Sequence, residues 1–147
     1  MYRQLMVPLD GSTFAETALP LALTISRKTG ADVHLVMVLE PVSSFAYEGW
    51  ESAAEEWSQE YFRGVGERVS GQAGGEVTTA VVNGHTVERL QEEARSRGAD
   101  LVVMATHGRG ALSRMWIGSV ADGFVRHTDR PVLLVRPDEQ AESPTEF

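Results

Sequence analysis

The 147-residue chain contains no cysteine. Disulfides, thiolate metal sites and cysteine nucleophiles are therefore excluded. Lysine is nearly absent as well: Lys28 is the only one. A Walker phosphate loop needs a lysine after its last glycine, and no glycine loop here supplies one. Positive charge is scarce, with 13 Lys and Arg against 21 Asp and Glu and a formal charge of −8. A nucleic-acid groove or an anionic membrane surface needs a basic footprint, so neither is expected as a partner. No apolar run approaches the ~20 residues of a membrane span. The opening "MYRQLMVPLDGS" has no apolar stretch long enough for a signal peptide, and a cytoplasmic protein is the expectation. The four histidines, His34, His85, His107 and His127, show no metal-ligand spacing. No Gly-x-Ser-x-Gly elbow marks a hydrolase nucleophile.

What is present is a globular core. Hydrophobic residues make up 42% of the chain, and a domain of this size buries roughly two-thirds of its unfolded surface. Five short runs read as strands: "QLMVPL" (4–9), "DVHLVMVLE" (32–40), "EVTTAVV" (76–82), "DLVVMAT" (100–106) and "PVLLVRP" (131–137). Three of them have almost no polar alternation, as strands covered on both faces do. Helical patterns lie between. Residues 13–29 place Ala15, Ala18, Leu19, Ala22 and Ile25 on one face, with Thr13 and Glu16 at capping-box spacing and Gly30 at the end. Pro20 is expected to kink that helix. Residues 50–70 and 85–97 read as further helices, and 119–128 opens with Ser119 and Asp122 at capping-box spacing. The alternation predicts a single α/β domain over 1–137: an open five-stranded parallel sheet, order 3-2-1-4-5, with helices on both faces. The acidic residues 138–147 are expected to be a disordered tail.

Open parallel sheets bind ligands beyond the strand carboxyl ends, where the winding reverses. With this order the reversal falls between strands 1 and 4, whose ends are "PLDGS" (8–12) and "MATHGRG" (104–110). Two glycine-bearing loops converge there. Gly108 and Gly110 permit close backbone approach to an anion. Gly118-Ser119 opens a helix whose free N–H groups favour negative charge. Arg109 and Arg114 either screen a phosphate from the rim or stay solvated. Asp10 suits ribose hydroxyls or a divalent cation, and its place at the reversal of winding favours that role over an ordinary turn residue. His107 reads as an oriented loop residue rather than a catalytic base. Trp50, Trp57, Tyr61 and Phe62 read as a helix face in the core, with a lid over the crevice as the alternative.

The segments "VPLDGS", "VVNGHTVERLQEEARSRGADLVVMATHGRG" (81–110) and "LSRMWIGSV…PVLLVRP" (112–137) resemble the universal stress protein A family over nearly the whole chain. The nucleotide-binding branch of that family carries Gly-x-x-Gly, nine residues, then Gly-Ser or Gly-Thr. Here Gly108 is followed by nine residues and then Gly118-Ser119. The first glycine of the pattern falls on Ala105, which bears on how closely the backbone approaches a ligand there. The resemblance implies an adenine nucleotide alpha hydrolase-like fold and an ATP site. Pro8, Leu9 and Asp10 would meet adenosine, and the Val38 backbone would meet the adenine edge. Met104, Ala105, His107, Gly108, Gly118, Ser119 and Val120 would surround ribose and phosphates, with Arg109 beside them and Mg²⁺ as an accompanying cation. It also implies a homodimer joined through strand 131–136. Three functions follow: a dimeric ATP-binding stress sensor or switch, a slow ATPase or autokinase, and a nucleotide-free dimeric interaction module. The first is the leading one, because efficient phosphoryl transfer needs a clamp and charge stabilisation that this loop set does not supply.

Overall fold

Strands that are apolar on both faces need a helical layer on each side, and the chain supplies both. The computed structural model describes residues 1–41, 49–106 and 118–137. The elements alternate as β1 (Gln4–Pro8), α1 (Thr13–Glu16), α2 (Leu19–Thr29), β2 (Asp32–Leu39), α3 (Trp50–Val69), β3 (Val77–Asn83), α4 (Thr86–Ser96), β4 (Leu101–Ala105), α5 (Ser119–His127) and β5 (Val132–Val135). All strand pairs are parallel, in the order β3-β2-β1-β4-β5. The expected sheet is the one formed.

The two-residue repeat of each strand sorts its side chains onto opposite faces. Leu5, Val7, Leu35 and Val103 pack with Ala18, Leu23, Phe62 and Val65 under α1, α2 and α3. Met6, Val36, Val102 and Met104 pack with Leu90, Ala94, Ala121 and Phe124 under α4 and α5. On this second face one polar group is fully buried. The His34 Nε2 lies 3.1 Å from Glu93 Oε2, and its Nδ1 lies 2.8 Å from Thr78 Oγ1. A neutral ring satisfies both: Nε2–H donates to the carboxylate and Nδ1 accepts from the hydroxyl. Burial lowers the His34 pKa, outweighing the hydrogen bond to Glu93.

Three helix starts differ from the sequence expectation. The predicted helix 13–29 is two helices, because the break falls at Thr17 and Ala18 and Pro20 sits in the first turn of α2. A proline there loses no hydrogen bond, so it opens a helix rather than kinking one. The cap of α1 is Ser12, not Thr13: Ser12 Oγ accepts from the Ala15 N–H at 3.2 Å. At α5 the cap position belongs to Gly118. Ser119 is the first helical residue, and Asp122 pairs with Arg126 at 3.0 Å instead of completing a box.

Candidate functional site

β1 leads into the site through Pro8 and Leu9. The Leu9 N–H donates to the Val36 carbonyl at 2.8 Å, which fixes the end of β1 against β2. Asp10 then turns the chain. Its Oδ1 accepts from the Ser12 N–H at 2.9 Å and from Ser12 Oγ at 2.5 Å, while Gly11 between them adopts φ +85°. Few L-residues tolerate that conformation, so the glycine is required by the turn. The ordinary turn role considered for Asp10 is therefore realised.

β4 reaches the same end of the sheet with Met104 and Ala105, both buried. The Thr106 N–H donates to the Val135 carbonyl at 2.9 Å, and the Gly118 N–H donates to the Thr106 carbonyl. This last bond holds the start of α5 against the carboxyl end of β4. Gly118 has no capping side chain, so among the described residues no side chain caps the helix. An α-helix leaves its first N–H groups without intrahelical partners, and they carry the positive end of its dipole. Ser119 and Val120 form the first turn there.

The β1–β4 ladder pairs only Leu5 with Leu101 and Met6 with Val102. It is the shortest of the sheet and lies at the reversal of winding. Val38 lies near the end of β2, at the same end of the sheet. Because the Val36 carbonyl accepts from Leu9, the two-residue repeat turns the Val38 backbone groups to the same side, beyond the end of β1. Next to it, Glu40 Oε1 accepts from Thr86 Oγ1 at 2.8 Å and ties the end of β2 to α4. The structure thus brings Pro8, Leu9, Asp10, Val38, Met104, Ala105, Gly118, Ser119 and Val120 to one end of the sheet. His107, Gly108 and Arg109, with Gly110 and Arg114, lie outside the described residues. Among the described residues no group of three or more His, Asp or Glu side chains is arranged to hold a metal ion.

α3 reaches the Asp10 turn as well, and its aromatic residues were expected to act as one group on a helix face. The structure divides them. Phe62 is buried in the core, whereas Trp50 and Trp57 are 40% and 46% exposed. The Trp57 ring stacks on Tyr61 with centroids 5.7 Å apart. Its outer ring also lies on Gly11: a Cβ there would overlap Trp57 Cη2 and lie 3.2 Å from Cζ2 and Cζ3. Tyr61 Oη donates to Glu16 Oε2 at 2.9 Å, and Arg68 pairs with Glu16 Oε1 at 2.7 Å. Burial, and then the neighbouring Glu16 carboxylate, push the Tyr61 phenol well above its ordinary pKa; Asp10 adds to the same shift. The only sequence signal for this arrangement is the i, i+4 spacing of Trp57 and Tyr61.

The model of the universal stress protein family matches residues 1–136. A universal stress protein of Methanocaldococcus jannaschii is 30% identical over 142 residues, covering 92% of this chain and 83% of that relative. Among solved structures, a universal stress protein in complex with cAMP has a TM-score of 0.71 at 23% identity, over 93% of this chain and 98% of its own. A universal stress protein family protein from Arabidopsis thaliana with AMP bound has a TM-score of 0.62 at 18% identity, over 98% and 97% of the two chains. At these identities the two structures speak for the fold. The family match over nearly the full length speaks for descent, and the chain belongs to the universal stress protein family.

Proposed function

We propose that this protein binds an adenine nucleotide, ATP foremost, between the carboxyl ends of β1 and β4 and serves as a dimeric stress-response sensor or switch in the cytoplasm. One observation carries the reading. The Gly118–Thr106 hydrogen bond sets the start of α5, which no described side chain caps, at the strand ends where the Asp10 turn also lies. An anion is stabilised by the helix start, and a carboxylate accepts from sugar hydroxyls. The two groups suit opposite ends of one nucleoside phosphate. The cAMP- and AMP-bound relatives support the same ligand class.

Within this reading Gly118, Ser119 and Val120 hold phosphate together with His107, Gly108 and Arg109. Pro8, Leu9 and Asp10 meet the nucleoside, and the Val38 backbone meets the base edge. Met104 and Ala105 floor the crevice. Mg²⁺ would ride on the phosphates, because no group of three His, Asp or Glu side chains is assembled to hold it among the described residues. Turnover is slow or absent. Lys28 lies in the last turn of α2 and so gives the site no lysine clamp. Dimerisation is through β5, an edge strand of the sheet whose four residues are all partly exposed.

The nucleotide-free dimeric module is the second reading, and Ala105 alone favours it, since its methyl stands where the binding branch has glycine. Mass spectrometry of gently purified protein separates the two. A co-purifying adenine nucleotide supports the proposal, and apo protein that also ignores added ATP supports the alternative.

A further inference from the structure

The turn that carries Asp10 is held from outside by α3 at two points. At one, the outer ring of Trp57 rests on Gly11. At the other, Tyr61 and Arg68 both hold Glu16, the last residue of α1. Trp57 and Tyr61 are joined by their stacking, so the two anchors form one unit. The turn between the anchors is small: Ser12 bonds to Asp10, and Ala15 to Ser12. A side chain at position 11 would collide with the indole, so glycine is needed there for the contact as well as for the positive φ. Nearly half of the Trp57 surface is open, which is a poor use of an indole if core burial were its purpose.

We infer that Trp57 is a positioning residue for the nucleotide site: its outer ring clamps Gly11 and thereby presets the Asp10 carboxylate for the ligand. The inference rests on the nucleotide reading proposed above. Its physical content is a population effect. A loop that visits its competent conformation only a fraction of the time binds more weakly by that fraction. The clamp keeps that fraction near one without itself touching the ligand.

Trp57→Phe removes the contact with Gly11 and keeps the stack on Tyr61. A phenyl ring still stacks on Tyr61, but it lacks the outer indole ring whose Cη2, Cζ2 and Cζ3 meet Gly11. Trp57→Ala removes the stack too. The reporter in the free protein is the Ser12 amide, which donates to Asp10 Oδ1 only while the turn is formed. Amide exchange followed by NMR is expected to quicken at Ser12 in Trp57→Phe while the β2 core amides and the melting temperature stay as in the wild type. ATP titrations are expected to show affinity falling about threefold to tenfold in Trp57→Phe and further in Trp57→Ala, as the competent fraction drops. Unchanged Ser12 exchange, or exchange that quickens while ATP affinity stays at the wild-type value, overturns the clamp and leaves the nucleotide reading standing. A wild-type protein that binds no ATP overturns the nucleotide reading itself, and the positioning role falls with it.

Discussion

The Gly118 amide donates to the Thr106 carbonyl, joining two residues twelve positions apart in sequence at the end of β4. Its consequence is directional. α5 starts at the strand carboxyl ends, with no capping side chain among the described residues, and the positive end of its dipole lies at that end of the sheet.

That relationship makes Gly118 the sharpest probe of the phosphate end. Its backbone, at φ −55° and ψ 149°, is open to any L-residue, so Gly118→Val does not strain the chain. A β-branched side chain there obstructs the approach of phosphate to the helix start. ATP affinity is expected to fall at least about tenfold, a loss of ~1.4 kcal/mol, with the far-ultraviolet spectrum unchanged. Full affinity in the variant moves the phosphate elsewhere.

Asp10 holds the turn and, in the proposal, the sugar. Asn retains an acceptor for Ser12 but replaces a charge-assisted bond to the ligand by a neutral one. Asp10→Asn should therefore keep most stability while losing about 5–30-fold in ATP affinity. Asp10→Ala should lose both, with about 1 kcal/mol of stability going with the turn. Paired thermal melts and calorimetric titrations read the two losses separately. Normal affinity in a destabilised Asp10→Ala protein assigns the residue to the turn alone.

The His34 site predicts an acid-sensitive core. Burial lowers the His34 pKa in the fold, so the unfolded chain takes up the proton first as pH falls. Above the ordinary histidine value of about 6.5 both states are neutral and the group has no effect. Below it, stability declines until pH passes the lowered folded value, where the loss levels off. Denaturant midpoints at pH 7.5 and pH 5.5 should differ in the wild type and converge in His34→Gln. Equal slopes in the two proteins exclude His34 as the cause.

The edge strand β5 predicts assembly. Val132 to Val135 is apolar and, among the described residues, pairs on one side only, with β4. Light scattering at micromolar concentration should give a dimer, and Leu134→Lys should shift it toward monomer by placing a charge on the edge strand. A wild-type monomer contradicts the proposed interface.

The sheet was legible because its strands are short apolar runs punctuated by glycine and proline, and the crossover rules then leave few orders. Helix starts were less so. Ser12 and Thr13 are adjacent hydroxyl residues, either of which can cap, and Pro20 fits both a kink and a first turn. Which one holds depends on how α1 and α2 dock, and a local pattern does not carry that information. The reversal of winding between β1 and β4 was readable from topology, whereas the Trp57–Gly11 contact was not. Those two residues lie 46 positions apart in sequence, and only the packing of α3 across the sheet brings them together. His107, Gly108 and Arg109 were named from their motif and fall outside the described residues.

In the proposal, the start of α5 and the Asp10 turn form one adenine-nucleotide site. Calorimetric titration of the wild-type chain with ATP and Mg²⁺, beside a thermal melt at saturating ATP, tests it most directly. One nucleotide per chain and a raised melting temperature are expected, since ligand at ~100 times its dissociation constant adds about 2.7 kcal/mol. No binding heat together with an unmoved melting temperature at millimolar ATP, in a folded sample, would contradict it.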